Sequence, residues 1–214
     1  MSTISRRDLY KWCRIPYQKL EKHPELRVPF RLCEDADAMG LLMARELADL
    51  VRQHNGEGRA TRAILPCGPT GWYAPFASIV NVEGIDLSRL VVFHMDECLD
   101  WQGRELPRAH PYSFRGFMER HFYGPVHPDL AVPADNRHWP RADNVEELKV
   151  RIREAPIDIT YGGWGHDGHV AYNQARRHPY DALSVDELRA STVRVQENNL
   201  DTILALAQRT FGAA

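Results

Sequence analysis

The sequence predicts a doubly wound α/β domain on a mostly parallel sheet. Three observations predict it. Short apolar runs alternate along the chain with segments patterned as helices, the alternation of a parallel sheet and its crossovers. Glycine and proline gather where those runs end. With 214 residues and 43% hydrophobic composition, the chain can bury one substantial core.

The elements follow in order. Residues 1–27 mix charges and aromatics and predict an N-terminal helical arm, with residues 28–214 forming the α/β domain. "VPFRLC" (Val28 to Cys33) has a strand's composition, and a helix is expected next, capped by Asp35 or Asp37 and stopped near Gly56. "RAILPCG" reads as a buried strand ending in a turn, "WYAPFASIVNVEG" as a helix, and "LSRLVVFHMDEC" as a second buried strand. "SFRGFMERHFYG" and "NVEELKVRIREA" read as helices, with Gly103 to Pro111 and Gly124 to Pro140 as long loops. "IDITYGG" and "STVRVQ" are expected strands. The last segment, from Asn198 or Asn199 as cap, is an expected helix.

Composition excludes several function classes. A formal charge of -2 gives no basic field for a polynucleotide or an anionic membrane, so neither is expected as a partner. Cys13, Cys33, Cys67 and Cys98 show no C-x-x-C pairing, which argues against a disulfide scaffold or a structural zinc site. The start of the chain lacks the apolar core of a signal peptide and no run is long enough to span a bilayer, so a cytoplasmic protein is expected.

Ligands of open parallel sheets sit beyond the carboxyl ends of the strands, and three such ends carry chemistry. "LPCGPTGW" holds Cys67, Gly68, Pro69, Thr70 and Gly71, a tight turn before a helix that can cradle a phosphate with backbone N–H groups and the Thr70 hydroxyl. It has no Walker lysine, and glycine turns of this kind are common. "FHMDEC" ends in Asp96 and Glu97, adjacent acids of which one should face the crevice as a general base. "YGGWGHDGHVAYNQ" ends the strand "IDITYGG", and its glycines let Asp167 and His169 reach one pocket, the carboxylate orienting a proton-moving imidazole. His166, Asp167 and His169 could supply three metal ligands, but their spacing matches no metal pattern.

Taken together, these segments resemble the glucosamine-6-phosphate deaminase/isomerase family, in a superfamily with the 6-phosphogluconolactonases. "VVFHMDECLDW" is similar to the family's strand ending in M-D-E, "LPRAHPYSFRGFM" to its L-P-x-x-H-P-x-S-[YF] segment, and "GGWGHDGHVAYNQ" to G-G-x-G-x-D-G-H-I-A-F-N-E. The resemblance covers most of the chain from Val28. It implies a Rossmann-like fold, a phosphorylated amino sugar as substrate, chemistry without metal or organic cofactor, and a homo-oligomer. By position it makes Asp96 the base that moves a proton between sugar carbons, with Glu97 beside it. His169 becomes the ring-opening histidine with Asp167 and Gly168 next to it, and Gly68 and Thr70 fall on the phosphate loop.

Three departures stand out. Gln174 lies where the family carries glutamate, and it cannot hold the negative charge that would stabilise an imidazolium. Cys67 replaces a hydroxyl residue of the phosphate loop. The family continues past the equivalent of Ala214 and supplies a phosphate-binding lysine there, so a truncated chain is the simpler expectation; Arg209 is the nearest candidate for its phosphate-binding arginine. A lactonase of the same superfamily and a non-catalytic sugar-phosphate sensor are the competing functions, and "AYN" after His169 favours the deaminase branch.

Overall fold

The computed structural model describes residues 4–165, 168–174, 180 and 183–211, with side chains to residue 207. Among the described residues four parallel strands form one sheet in the order β3-β2-β1-β4: β1 Thr61–Leu65, β2 Leu90–His94, β3 Arg137–His138 and β4 Ile159–Thr160. The chain steps outward from β1 to β2 to β3 and then returns to the far side of β1. That reversal puts a crevice at the carboxyl ends of β1 and β4, the usual place for a ligand in an open α/β sheet.

The first helix, α1 (Arg6–Cys13), is capped by the Ser5 side chain and buries no residue, and a 3-10 turn follows at Tyr17–Lys22. Helix α2 (Ala36–Gly56) starts where Asp35 accepts the Ala38 N–H at 2.8 Å, as its sequence predicts. It buries Gly40, Ala44, Leu47, Ala48 and Val51, spaced three and four apart, on one face. Helix α3 (Tyr73–Glu83) ends in a left-handed Gly84. Glu83 ties the two helices together through Arg52 and through Arg45 at 2.5 Å.

The core is aromatic on one side. Trp72 and Phe76 are fully buried and meet Phe122 at ring-centre distances of 5.1 and 5.4 Å, while Tyr161 packs on Trp72 at 5.3 Å. Phe122 comes from a π-helical turn, Glu119–Tyr123, that continues α4 (Phe114–Met118). Helix α5 (Val145–Arg153) precedes β4. Asp158 then sets that strand beside β1: its carboxylate accepts the Arg62 N–H at 2.8 Å, and its own N–H donates to Arg62 O at 2.9 Å.

Two expected strands are not strands. Val28 to Cys33 joins no ladder and is exposed except at Cys33, because strand-forming residues need a ladder partner and the sheet begins only at Thr61. Residues 191–196 are held by side chains instead, Arg194 reaching Asn173 at 3.2 Å and Gln196 the Tyr172 carbonyl. Conversely, β3 lies within a stretch expected to be loop, and a short helix α6 (Val185–Ala190) carries a Ser184/Glu187 capping box. The last described helix, α7 (Leu200–Phe211), is amphipathic.

Candidate active site

The loop after β1 is pinned by three contacts from two helices. Tyr73 Oη donates to Pro66 O at 2.9 Å, and the Tyr73 N–H goes to Thr70 O at 3.1 Å. From below comes α2: a Cβ on Gly40 would sit 2.6 Å from Gly71 O, so only glycine permits this approach of helix and loop. The Gly68–Pro69 peptide is cis. Thr70 and Gly71 are exposed, and the Thr70 hydroxyl has no partner among the described residues. Pro75 removes a donor from the first turn of α3, so the anion-holding capacity lies in the loop more than in the helix start.

Cys67 lies deeper. Its thiol faces Phe114 O at 3.9 Å, and burial, with Asp96 and Glu97 nearby, pushes its pKa up. Cys98 is pushed up to about 12 by the same burial and acids.

Asp96 and Glu97 follow β2, where Met95 N–H still reaches Leu65 O at 3.0 Å and so keeps the acids beside the loop. They part company there. The Glu97 carboxylate accepts three backbone N–H groups, those of Cys98, Phe114 and Arg115, at 2.9, 2.8 and 2.7 Å. It is therefore the anchor of α4, its pKa raised by burial and held back by those donors. Asp96 is half-buried and makes no hydrogen bond among the described residues. Burial first, and the neighbouring Glu97 second, push its pKa from 3.8 to about 7.

The turn after β4 completes the cluster. Tyr161 Oη donates to Met43 O at 2.9 Å, fixing the strand's end to α2, and a Cβ on Gly163 would lie 3.3 Å from Pro69. The loops after β1 and β4 thus touch. The backbone then doubles back, with Trp164 bridging Val170 and Gly165 N–H donating to His169 O at 2.9 Å. Gly168 takes φ 83°, and Ala171 and Tyr172 hold φ 54° and 52°, a costly pair for residues with side chains. What they achieve is a stack: Tyr172 lies on His169 at 4.7 Å on one side and on Phe114 at 6.1 Å. The acid cluster and the histidine are joined through that ring.

His169 also faces the side-chain nitrogen of Gln174, 3.4 Å from Nδ1. Gln174 is buried, bonded to Asn199 and Thr202 at the start of α7. Asp167 and His166 lie outside the described residues, and Arg209 is in α7 with its side chain outside them. The structure thus brings Cys67 to Gly71, Asp96, Glu97, Gly168, His169 and Gln174 to the carboxyl ends of β1, β2 and β4.

Gly40, Gly165, Phe114, Tyr172, Asn199 and Thr202 were not legible as site residues. Gly40 alone left a signal, a glycine inside an otherwise apolar helix. Gly165 is as tightly used: a Cβ there would lie 2.2 Å from His169 Cε1.

No protein-family model matches the chain. It is 31% identical over 184 residues to glucosamine-6-phosphate deaminase from Caenorhabditis elegans, covering 84% of this chain and 63% of that protein. Glucosamine-6-phosphate deaminase 2 from Giardia intestinalis is 32% identical over 143 residues, 63% of this chain and 49% of its own length. The chain therefore spans less than two thirds of the curated relatives it matches. Among solved structures, a 6-phosphogluconolactonase from Thermotoga maritima superposes with a TM-score of 0.49 at 21% identity, covering 65% of this chain and 61% of that one. Over the length it spans, this chain is thus similar in sequence to glucosamine-6-phosphate deaminases.

Proposed function

We propose that the site isomerises and deaminates a phosphorylated amino sugar by acid/base chemistry, with Asp96 as the base. Asp96 carries the reading: a half-buried carboxylate at a strand end, free of hydrogen bonds among the described residues, with a pKa raised to about 7. A base tuned to neutral pH is what proton abstraction beside a carbonyl requires. From the open-chain 2-amino aldose, Asp96 takes the C2 proton and returns it to C1 while the amine gives up a proton and the C1 oxygen gains one, so that the aldehyde becomes a hydroxyl and C2 a ketose imine. Water then adds to the imine and ammonia leaves, so that the products are a ketose phosphate and ammonia.

The exposed Thr70 hydroxyl and the 68–71 backbone suit the phosphate, while His169 and Asp167 suit the oxygens at the reacting end. The same reading carries a homo-oligomer in the cytoplasm; light scattering of the purified protein checks the assembly, and cell fractionation the location. The decisive assay follows ammonia release and aldose/ketose interconversion across a panel of sugar phosphates, with a phosphogluconolactone alongside. Turnover of an amino-sugar phosphate is expected. Silence on the whole panel, or hydrolysis of the lactone alone, refutes the proposal.

A further inference from the structure

Gln174 is the point at which α7 reaches the candidate site. Its side-chain oxygen accepts the backbone N–H of Asn199 at 2.9 Å. A backbone N–H only donates, so the amide has one orientation and turns its NH2 the other way. One of those hydrogens goes to Thr202 Oγ1, and the nitrogen lies 3.4 Å from His169 Nδ1. The clamp is buried, with Gln174 9% and Thr202 3% exposed, so water does not compete freely for these bonds. Nδ1 faces a donor and must accept. A neutral imidazole that accepts at Nδ1 carries its proton on Nε2.

We propose that Gln174, held by Asn199 and Thr202, is a positioning residue that fixes neutral His169 as the Nε2–H tautomer, so that the histidine meets its ligand as a hydrogen-bond donor to oxygen. The Tyr172 stack and the close approach over Gly165 set the plane of the ring, and Gln174 sets which nitrogen is protonated. The inference rests on the sugar-phosphate reading and narrows it. The ligand it suits offers an acceptor oxygen at this place, as the carbonyl of an open-chain sugar phosphate does. A ligand whose reaction needs neutral His169 to withdraw a proton through Nε2 is disfavoured. Glutamate at this position would reverse the pattern by accepting from Nδ1–H and leaving Nε2 as a lone pair.

The test is nitrogen-15 correlation spectroscopy of the labelled full chain at a pH where the imidazoles are neutral, which shows the ring nitrogen that carries the proton. His169→Asn identifies the signals among the 10 histidines. Wild type is expected as the Nε2–H tautomer, Gln174→Glu as Nδ1–H, and the pair Thr202→Val with Asn199→Pro as a mixture. Gln174→Met, uncharged and of similar length, is expected to give a mixture too, and serves if the glutamate variant does not fold. A wild-type Nδ1–H form, or a tautomer that no folded variant shifts, overturns the proposal. Sugar-phosphate turnover is scored separately: the expected tautomer without turnover refutes the deaminase reading alone, and turnover with the other tautomer refutes this inference alone.

Discussion

Replacing Asp96 by asparagine should trade activity for stability in a pH-dependent way. Burial holds the carboxyl at about 7 in the folded chain against 3.8 for an unperturbed aspartate. Because the folded pKa is the higher one, the native state binds the proton more tightly than the unfolded state does between those values. Wild-type stability from this group is therefore fully present below about pH 4 and is lost as pH rises to 7. The full difference corresponds to about 4 kcal/mol, and partial opening of Asp96 to solvent limits it to roughly 3 kcal/mol. Asparagine carries no charge and escapes this loss. In urea unfolding, the stability advantage of Asp96→Asn over wild type should grow by about 2 kcal/mol between pH 5 and pH 8.5. Turnover should fall by at least about 100-fold in the same variant, the usual worth of a positioned base, while wild-type kcat/KM climbs with pH through about 7. A stability difference that stays flat with pH would refute the burial argument, and undiminished turnover the role of Asp96.

Three further predictions follow from the packing around the site. Gly40→Ala gains helix propensity worth about 1 kcal/mol but drives a Cβ to 2.6 Å from Gly71 O, so a net loss of about 1–3 kcal/mol is expected in denaturant unfolding, with weakened phosphate affinity by calorimetry. Glu97→Gln takes an acceptor from the start of α4 and should cost about 1–3 kcal/mol, read as a lower midpoint in urea. If the 68–71 loop holds the phosphate as proposed, Cys67→Ser supplies a hydroxyl beside it, and one added hydrogen bond to a charged group, about 1.5 kcal/mol, should lower KM for a sugar phosphate about tenfold while kcat stays near wild type.

Much of this arrangement was legible in the sequence because strand ends are marked by what must happen there. "RAILPCG" and "LSRLVVFHMDEC" each announced a buried parallel strand followed by turn or acid residues, and both form as expected. Val28 to Cys33 misled because composition reports only that a strand is tolerated; whether a neighbouring edge exists is a property of the whole chain. Arg137–His138 was invisible for the converse reason, since β2 supplies the ladder and Phe93 the ring on which His138 stacks, 4.7 Å away. In the site, adjacency hid the division of labour between Asp96 and Glu97, which depends on three N–H groups, two of them 17 and 18 residues further along. Gln174 could be singled out as unusual from its letter, yet its partners Asn199 and Thr202 lie 25 and 28 residues away and no local pattern points to them.

The contact between Gly40 and Gly71 has a mechanical consequence. Two backbones meet there with no side chain between them, so nothing soft is available to absorb a displacement. A slide or roll of α2 would be passed directly to the loop after β1, whereas most helices shed such movements among rotamers. Met39, Leu41 and Leu42 lie on the exposed side of the same turn of helix. That turn and the loop are therefore rigidly coupled, and an exposed apolar surface stands one backbone contact away from the strand-end crevice.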